Sequence, residues 1–168
     1  MSTSIWKLTL GSGLRAGCLA AAVCSMAALW SAQAQQQETA TSKAPARISV
    51  VIPPAIGGQV VTLDLVITGF KKPENGNIGG VVALKRLGDA RTVEVGRFSI
   101  FPPESFTATS AEQGKRFQFN VTAAWKELGL SGEPPAEVEV EVALVDRSNG
   151  KVAAGAKLTV GEAQIAAR

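Results

Sequence analysis

Apolar residues recur along most of this chain at every second position, which is the period of a β-strand. The pattern is clearest over Ala136–Asp146, where apolar residues alternate with glutamates. This alternation predicts a strand with one face in a core and the other in water. Similar but less regular stretches predict the other strands: Arg47–Ile52, Val60–Thr68, Gly79–Leu87, Arg91–Phe101, Lys115–Val121 and Lys151–Val160.

Short polar and glycine-containing signals indicate how the strands connect. Gly88-Asp89 predicts a tight turn, and Asn149-Gly150 predicts a hairpin into the following strand, which we expect to continue through Val160–Ile165 as a last edge strand. Within Arg91–Phe101 the apolar residues change phase. Because a one-residue slip reverses the two faces of a strand, we expect a bulge or bend near Gly96-Arg97.

One segment, Thr122–Leu128, departs from the alternation and predicts a short helix. It contains good helix formers, and Gly129 follows its end. Trp125 and Leu128 are three residues apart and would face the same side, so we expect Trp125 to cap an open end of the core. The fold class is therefore mainly β: an antiparallel β-sandwich or jelly-roll-like domain with one short helix.

The N-terminal residues 1–34 are typical of a secretory signal peptide. Basic residues near the start precede an apolar stretch, and Ala32 and Ala34 have the small side chains of a cleavage site. The apolar stretch is shorter than the ~20 residues that a membrane span needs. We therefore expect an exported protein, periplasmic or secreted, with a disordered polar spacer at 35–46 and one β-sandwich domain at 47–168.

Composition then excludes several classes of function. The chain has no His and no Tyr, and both cysteines, Cys18 and Cys24, lie in the predicted leader. The exported part thus lacks the usual side chains for transition-metal binding, redox chemistry and tunable acid–base catalysis, so we expect no cofactor, no metal and no enzymatic activity. The leader also holds two of the 17 basic residues and none of the 14 acidic ones. The remainder is nearly neutral, which argues against nucleic-acid binding.

The most acidic pattern is the row of Glu137, Glu139 and Glu141 on one strand. Glycosidases use two carboxylates that flank a bond, with the pKa of one raised by burial. Three carboxylates on one exposed strand face are better explained as a solvated surface, paired with Lys157 or Arg86 on neighbouring strands.

Five segments follow one another in an order that is typical of a known family. They are VTLDLVITGF (Val61–Phe70), VEVGRFSIFPP (Val93–Pro103), FQFNVTAAWKELGL (Phe117–Leu130), VEVEVALVDR (Val138–Arg147) and KLTVGEAQI (Lys157–Ile165). Together they resemble the C-terminal β domain of tyrosinases and polyphenol oxidases. The resemblance covers Arg47–Ile165, nearly the whole predicted mature chain. In that family the domain follows a type-3 copper domain and packs over the entrance to its active site.

The chain departs from that family because it has none of the six His that a type-3 copper centre needs. The resemblance implies a free-standing accessory module whose partner is a separately encoded tyrosinase-like type-3 copper protein. The alternative is a generic exported β-sandwich that binds carbohydrate or a cell-envelope component, and an enzyme using only Glu or Asp is the weakest hypothesis.

For the contact surface, the sequence offers the rigid aromatic loop from Phe101 through Pro102 and Pro103 to Phe106. The two prolines cannot continue a sheet ladder and stiffen the loop, which reduces the entropy lost on docking. The competing interpretation is that both phenylalanines close the bottom of the core.

Overall fold

The computed structural model describes residues 37–52, 60–74, 77–130, 137–148, 151 and 155–167. Within these ranges two antiparallel sheets and one short α-helix form a sandwich, which confirms the predicted fold class. The elements are β1 (Glu38–Thr41), β2 (Ala46–Val51), β3 (Val61–Lys71), β4 (Ile78–Arg86), β5 (Thr92–Ser99), β6 (Phe106–Thr107), β7 (Lys115–Asn120), α1 (Thr122–Glu127), β8 (Glu137–Asp146) and β9 (Lys157–Ala167), with a 3-10 turn at Ala111–Gln113.

Each sheet is built from strands that are distant in the sequence. Sheet A has the order β1-β9-β3-β6, and β7 also pairs with β3. Sheet B has the order β2-β8-β4-β5. The turn predicted at Gly88-Asp89 joins β4 and β5, and the Asp89 N–H donates to the Arg86 carbonyl at 3.0 Å.

Three sequence expectations about connections are wrong. The spacer predicted at 35–46 contains β1, which pairs with β9 and buries Ala40 completely. The hairpin predicted at Asn149-Gly150, which lies outside the described residues, does not pair the flanking strands, since β8 belongs to sheet B and β9 to sheet A. The predicted last edge strand is an internal strand, because β9 lies between β1 and β3.

The core lies between the two sheets and uses the alternation seen in the sequence. Leu63, Leu65 and Ile67 of β3 face the even-numbered valines of β8, and all are fully buried. The short helix closes one end of this layer: Trp125 is 2% exposed, as predicted for a packing residue. At the start of the helix, Asn120 Oδ1 accepts the Thr122 N–H at 3.0 Å and satisfies one free backbone donor.

Three bulges occur in the strands that the structure describes. The register of β4 with β5 shifts between Val82 and Ala83 and leaves Val95 as the extra residue, next to the predicted Gly96-Arg97. In sheet A, β3 and β9 each carry an extra residue at the same level, Thr68 on one and Gly161 on the other. A Cβ at Gly161 would lie 2.3 Å from Thr68 Cγ2, so only glycine fits opposite this threonine.

Candidate functional site

The loop predicted as a contact surface, Phe101–Phe106, lies at the end of the sandwich where β5 finishes. The structure brings the four predicted residues into one short segment but gives the two phenylalanines different environments. Phe101 is 85% exposed, the highest value among the exposed large hydrophobic residues of the described chain. Phe106 is half-buried in β6 and packs against the core. Pro102 and Pro103 between them are exposed.

Several hydrogen bonds hold this loop in place. Lys115 Nζ donates to the Phe101 carbonyl at 2.7 Å and lies 5.3 Å from the centre of the Phe106 ring. The Lys72 N–H donates to Ser105 Oγ at 2.8 Å, which ties the loop to the end of β3. The Glu104 N–H donates to the Pro102 carbonyl within the loop. Phe101 is therefore an exposed apolar side chain on a segment whose backbone is braced on both sides.

The other phenylalanines of the described chain are packing residues. The rings of Phe98 and Phe117 lie 4.4 Å apart between their centres, and Phe119 is 6.4 Å from Phe98. Gly80 lies directly under Phe98, since a Cβ there would approach the ring to 2.2 Å. Gly80 in β4 thus makes room for an aromatic ring.

The row of glutamates on β8 forms part of a charged surface and is balanced by cations. Arg47 of β2 lies 3.9 Å from Glu139 and 3.8 Å from Glu141, and Lys85 of β4 lies 3.8 Å from Glu139. The partners predicted from the sequence, Lys157 and Arg86, are wrong because Lys157 lies in the other sheet and Arg86 lies at the end of β4. Glu139 and Glu141 are therefore ion-paired, partly exposed residues on the outer face of sheet B, and Glu137 is exposed at the start of the strand.

Shifted pKa values occur at exposed turns and at the edge of sheet B, and all have local causes. A hydrogen bond from Arg97 lowers the pKa of Glu94, and the same bond raises the pKa of Arg97. The backbone N–H of Arg91 lowers the pKa of Asp89, and a hydrogen bond from Ser110 lowers that of Glu112. None of these groups belongs to the loop Phe101–Phe106, so its candidate role rests on shape and apolar character.

Among the described residues, a groove opens on the outer face of each sheet. The groove on sheet B, about 620 Å³, is lined by Arg97, Ser99 and Arg147. Its cations are already engaged: Arg147 crosses β4 at Gly79 and donates to Ser99 Oγ at 3.0 Å, and Arg97 is paired with Glu94. The groove on sheet A, about 390 Å³, is lined by threonines, by two lysines and by the aromatic residues Phe70 and Phe106. Sequence reasoning missed it, because its walls come from four strands, one of which lies in the supposed spacer.

Two kinds of feature are not found in the described part of the chain, and one predicted site lies outside it. In the described ranges no group of three or more His, Cys, Asp or Glu side chains is placed to hold a metal ion. No helix among these residues is long and apolar enough to cross a membrane. Ala32 and Ala34, the predicted cleavage residues, lie outside the described residues.

Comparisons with known proteins return structures but no families. No family model matches the chain, and no curated protein matches it. Recombinantly expressed latent aurone synthase, a polyphenol oxidase, has 18% identity and a TM-score of 0.44 over 77% of this chain and 24% of that chain. The same latent enzyme from its natural source has 17% identity and a TM-score of 0.46 over 76% and 25%. The chain thus spans about a quarter of the length of these proteins.

Proposed function

We propose that the chain is an exported, non-enzymatic accessory module that covers or stabilises a separately encoded tyrosinase-like copper oxidase. The observation that carries this proposal is the ring of Phe101, which is 85% exposed. The loop that bears it is held by hydrogen bonds to the Phe101 carbonyl and to the Ser105 hydroxyl. Large apolar side chains that are held rigidly in water are typical of binding anchors, since little entropy is lost when they dock.

The chemistry of the chain agrees with a binding role. The predicted exported part has no His, Cys, Met or Tyr, so it brings no side chain suited to tight copper binding or electron transfer. Its contribution to an oxidase would be steric: the Phe101–Phe106 loop would block or shield the entrance to the copper site. The sequence motifs quoted above, which resemble the covering domain of tyrosinases, support this choice of partner.

The first experiment separates an anchor from a core residue. Phe101→Ala removes an exposed ring, so we expect the free energy of unfolding to change by less than about 0.5 kcal/mol. Phe106→Ala removes a half-buried ring from the edge of the core and should cost about 1–3 kcal/mol. Urea denaturation of the two variants measures both values. A loss of several kcal/mol in both would show that Phe101 is a packing residue.

The second half of the experiment tests the partner. A tyrosinase-type copper domain without its own β domain is assayed for diphenol oxidation with and without this chain. We expect the wild-type chain to lower the rate and Phe101→Ala to lose this effect. Leu87→Ala is the matched control, since Leu87 is also exposed, at 53%. Leu87 follows the last residue of β4, whereas the Phe101–Phe106 loop follows the part of β5 that pairs with the start of β4. An oxidase rate and a thermal stability of the copper domain that are both unchanged at a large excess of the wild-type chain would contradict the proposal.

A further inference from the structure

A cross-strand row of small side chains forms the floor of the groove on the outer face of sheet A. Thr39 of β1 is paired with Thr159 of β9, which is paired with Gly69 of β3, which is paired with Thr107 of β6. Residues that are directly opposite on neighbouring strands share a face of the sheet. The row therefore presents three hydroxyl groups around a glycine, on four adjacent strands.

Glycine at the centre of the row keeps the floor of the groove open. A Cβ at Gly69 would lie 3.1 Å from Thr159 Oγ1 and 3.2 Å from Thr159 Cβ. With glycine there, the groove encloses about 390 Å³, which is within the size range of small-ligand sites.

The positive charge of the groove comes from Lys71 and Lys157, which are register partners on β3 and β9. They are the next outward-facing pair after Gly69 and Thr159, and both are exposed and line the groove. Neither lysine has an ion pair with a described residue, and no described carboxylate lines the groove. Like charges that are directly opposite on paired strands repel each other. An anion placed between them would relieve that repulsion.

A third feature of the same groove is an unused hydroxyl group. Thr68, the bulge residue of β3, lines the groove and is 3% exposed. Its Oγ1 has no hydrogen-bond partner among the described residues. A buried hydroxyl without a partner is costly, and a small rotation of the side chain toward an oxygen-rich ligand would supply one.

We propose that this groove binds a small polyhydroxylated molecule that carries an oxyanion, such as a sugar phosphate, a sulfated sugar or a uronic acid. Lys71 and Lys157 hold the anionic group as paired point charges. Thr39, Thr107 and Thr159 bind the hydroxyl groups of the carbon skeleton. The site borders the loop of the proposed oxidase contact, since Phe106 belongs to both, but its ligand-binding side chains lie outside that loop. Its test therefore needs no oxidase partner.

The experiment is a titration of the wild-type chain, followed by backbone amide NMR. The probes are inorganic phosphate, inorganic sulfate, glucuronate, glucose 6-phosphate and neutral glucose. We expect saturable shifts at Thr39, Gly69, Thr107 and Thr159 with the acidic sugars, weaker binding of the inorganic ions and none of glucose. Tighter binding of glucuronate or of glucose 6-phosphate identifies the anionic group as carboxylate or phosphate.

A matched pair of double variants tests the lysines. Lys71→Gln with Lys157→Gln should weaken binding of the best probe by about tenfold or more, because both charges around the anion are lost. Lys72→Gln with Lys126→Gln removes the same total charge outside the groove and should leave the affinity within about twofold. Equal losses in both double variants would show attraction by net charge alone and would overturn the proposal. Absence of saturable shifts for every probe on the wild-type chain would also overturn it.

Discussion

The charged side chains on the outer face of sheet B are ion-paired, whereas those in the groove on the outer face of sheet A are two facing lysines. On sheet B, Arg47 and Lys85 flank Glu139 and Glu141 across three adjacent strands, at nitrogen–oxygen distances of 3.8–3.9 Å. On sheet A, Lys71 lies directly opposite Lys157, and no described carboxylate lines the surrounding groove. On sheet B, the basic side chains neutralise the carboxylates, whereas the groove on sheet A has a local excess of positive charge.

This difference separates a structural surface from one that can bind. Opposite charges that are directly paired across strands stabilise a sheet by roughly 0.2–1 kcal/mol, and like charges destabilise it by similar amounts. The sheet B face therefore stabilises the fold and leaves little charge for a ligand. On sheet A, the repulsion between Lys71 and Lys157 destabilises the free protein, and an anionic ligand bound between them would remove that repulsion.

The largest effect is expected from reversing the central charge of the sheet B face. Glu139→Lys removes ion pairs with Arg47 and Lys85 and replaces them with two repulsions, so we expect a loss of about 2 kcal/mol in the free energy of unfolding. Urea denaturation at low salt measures the loss, and added salt should reduce it by screening. Glu137→Lys, at the exposed end of the same strand, is the control and should change stability by less than about 0.5 kcal/mol. Equal losses of unfolding free energy in Glu139→Lys and Glu137→Lys would show that the ion pairs of Glu139 do not contribute to stability.

A smaller effect of opposite sign is expected on sheet A. Lys157→Glu converts the like-charge pair with Lys71 into an opposite-charge pair, so the free energy of unfolding should rise by about 0.5–1 kcal/mol. The same variant should lose the binding of acidic sugars. Lys126→Glu on the exposed face of α1 makes the same charge change without a cross-strand partner. Stabilisation by Lys126→Glu of equal size would attribute the gain to net charge instead of to the facing lysines.

The smallest effect concerns Glu94 and Arg97 at the exposed edge of sheet B. The hydrogen bond from Arg97 lowers the pKa of Glu94 below its ordinary value of 4.5. A lowered pKa in the folded state means that this contribution is fully present above pH 4.5 and is lost as the pH falls through the folded value. Wild type should therefore be slightly more stable than Glu94→Gln near neutral pH, and the two should converge on acidification. Denaturation curves at several pH values measure this difference, and a difference that grows toward acid pH would contradict the assignment.

The sequence predicts those parts of the fold in which a local pattern determines the structure. The alternation of β8 places its even-numbered valines in the core and its glutamates outside, and the helix ends where Gly129 was expected to end it. β1 was missed because ETAT has one buried apolar residue, Ala40, and no repeated alternation. Its pairing with β9 is a contact between residues more than a hundred positions apart, which no short window contains.

The Phe101–Phe106 loop could be predicted from the sequence better than the groove on sheet A, because only the loop has a local sequence pattern. A proline-stiffened aromatic loop is visible in the sequence, but the 85% exposure of Phe101 and the half-burial of Phe106 depend on where β6 pairs with β3. The groove on sheet A has no signature at all. Each of its threonines and lysines resembles an ordinary surface residue until the strand register brings them together.

The paired bulges of β3 and β9 also have a consequence for how this chain tolerates insertions and deletions. Without Thr68, the remaining residues of β3 would still alternate correctly, with Ile67 and Phe70 facing the core, and the same holds for β9 without Gly161. Losing one residue alone would straighten one strand against a partner that still bends, whereas losing both would restore a continuous but flatter ladder. Single-residue gaps at these two positions should therefore occur together in related sequences, as a correlated pair of deletions some ninety residues apart.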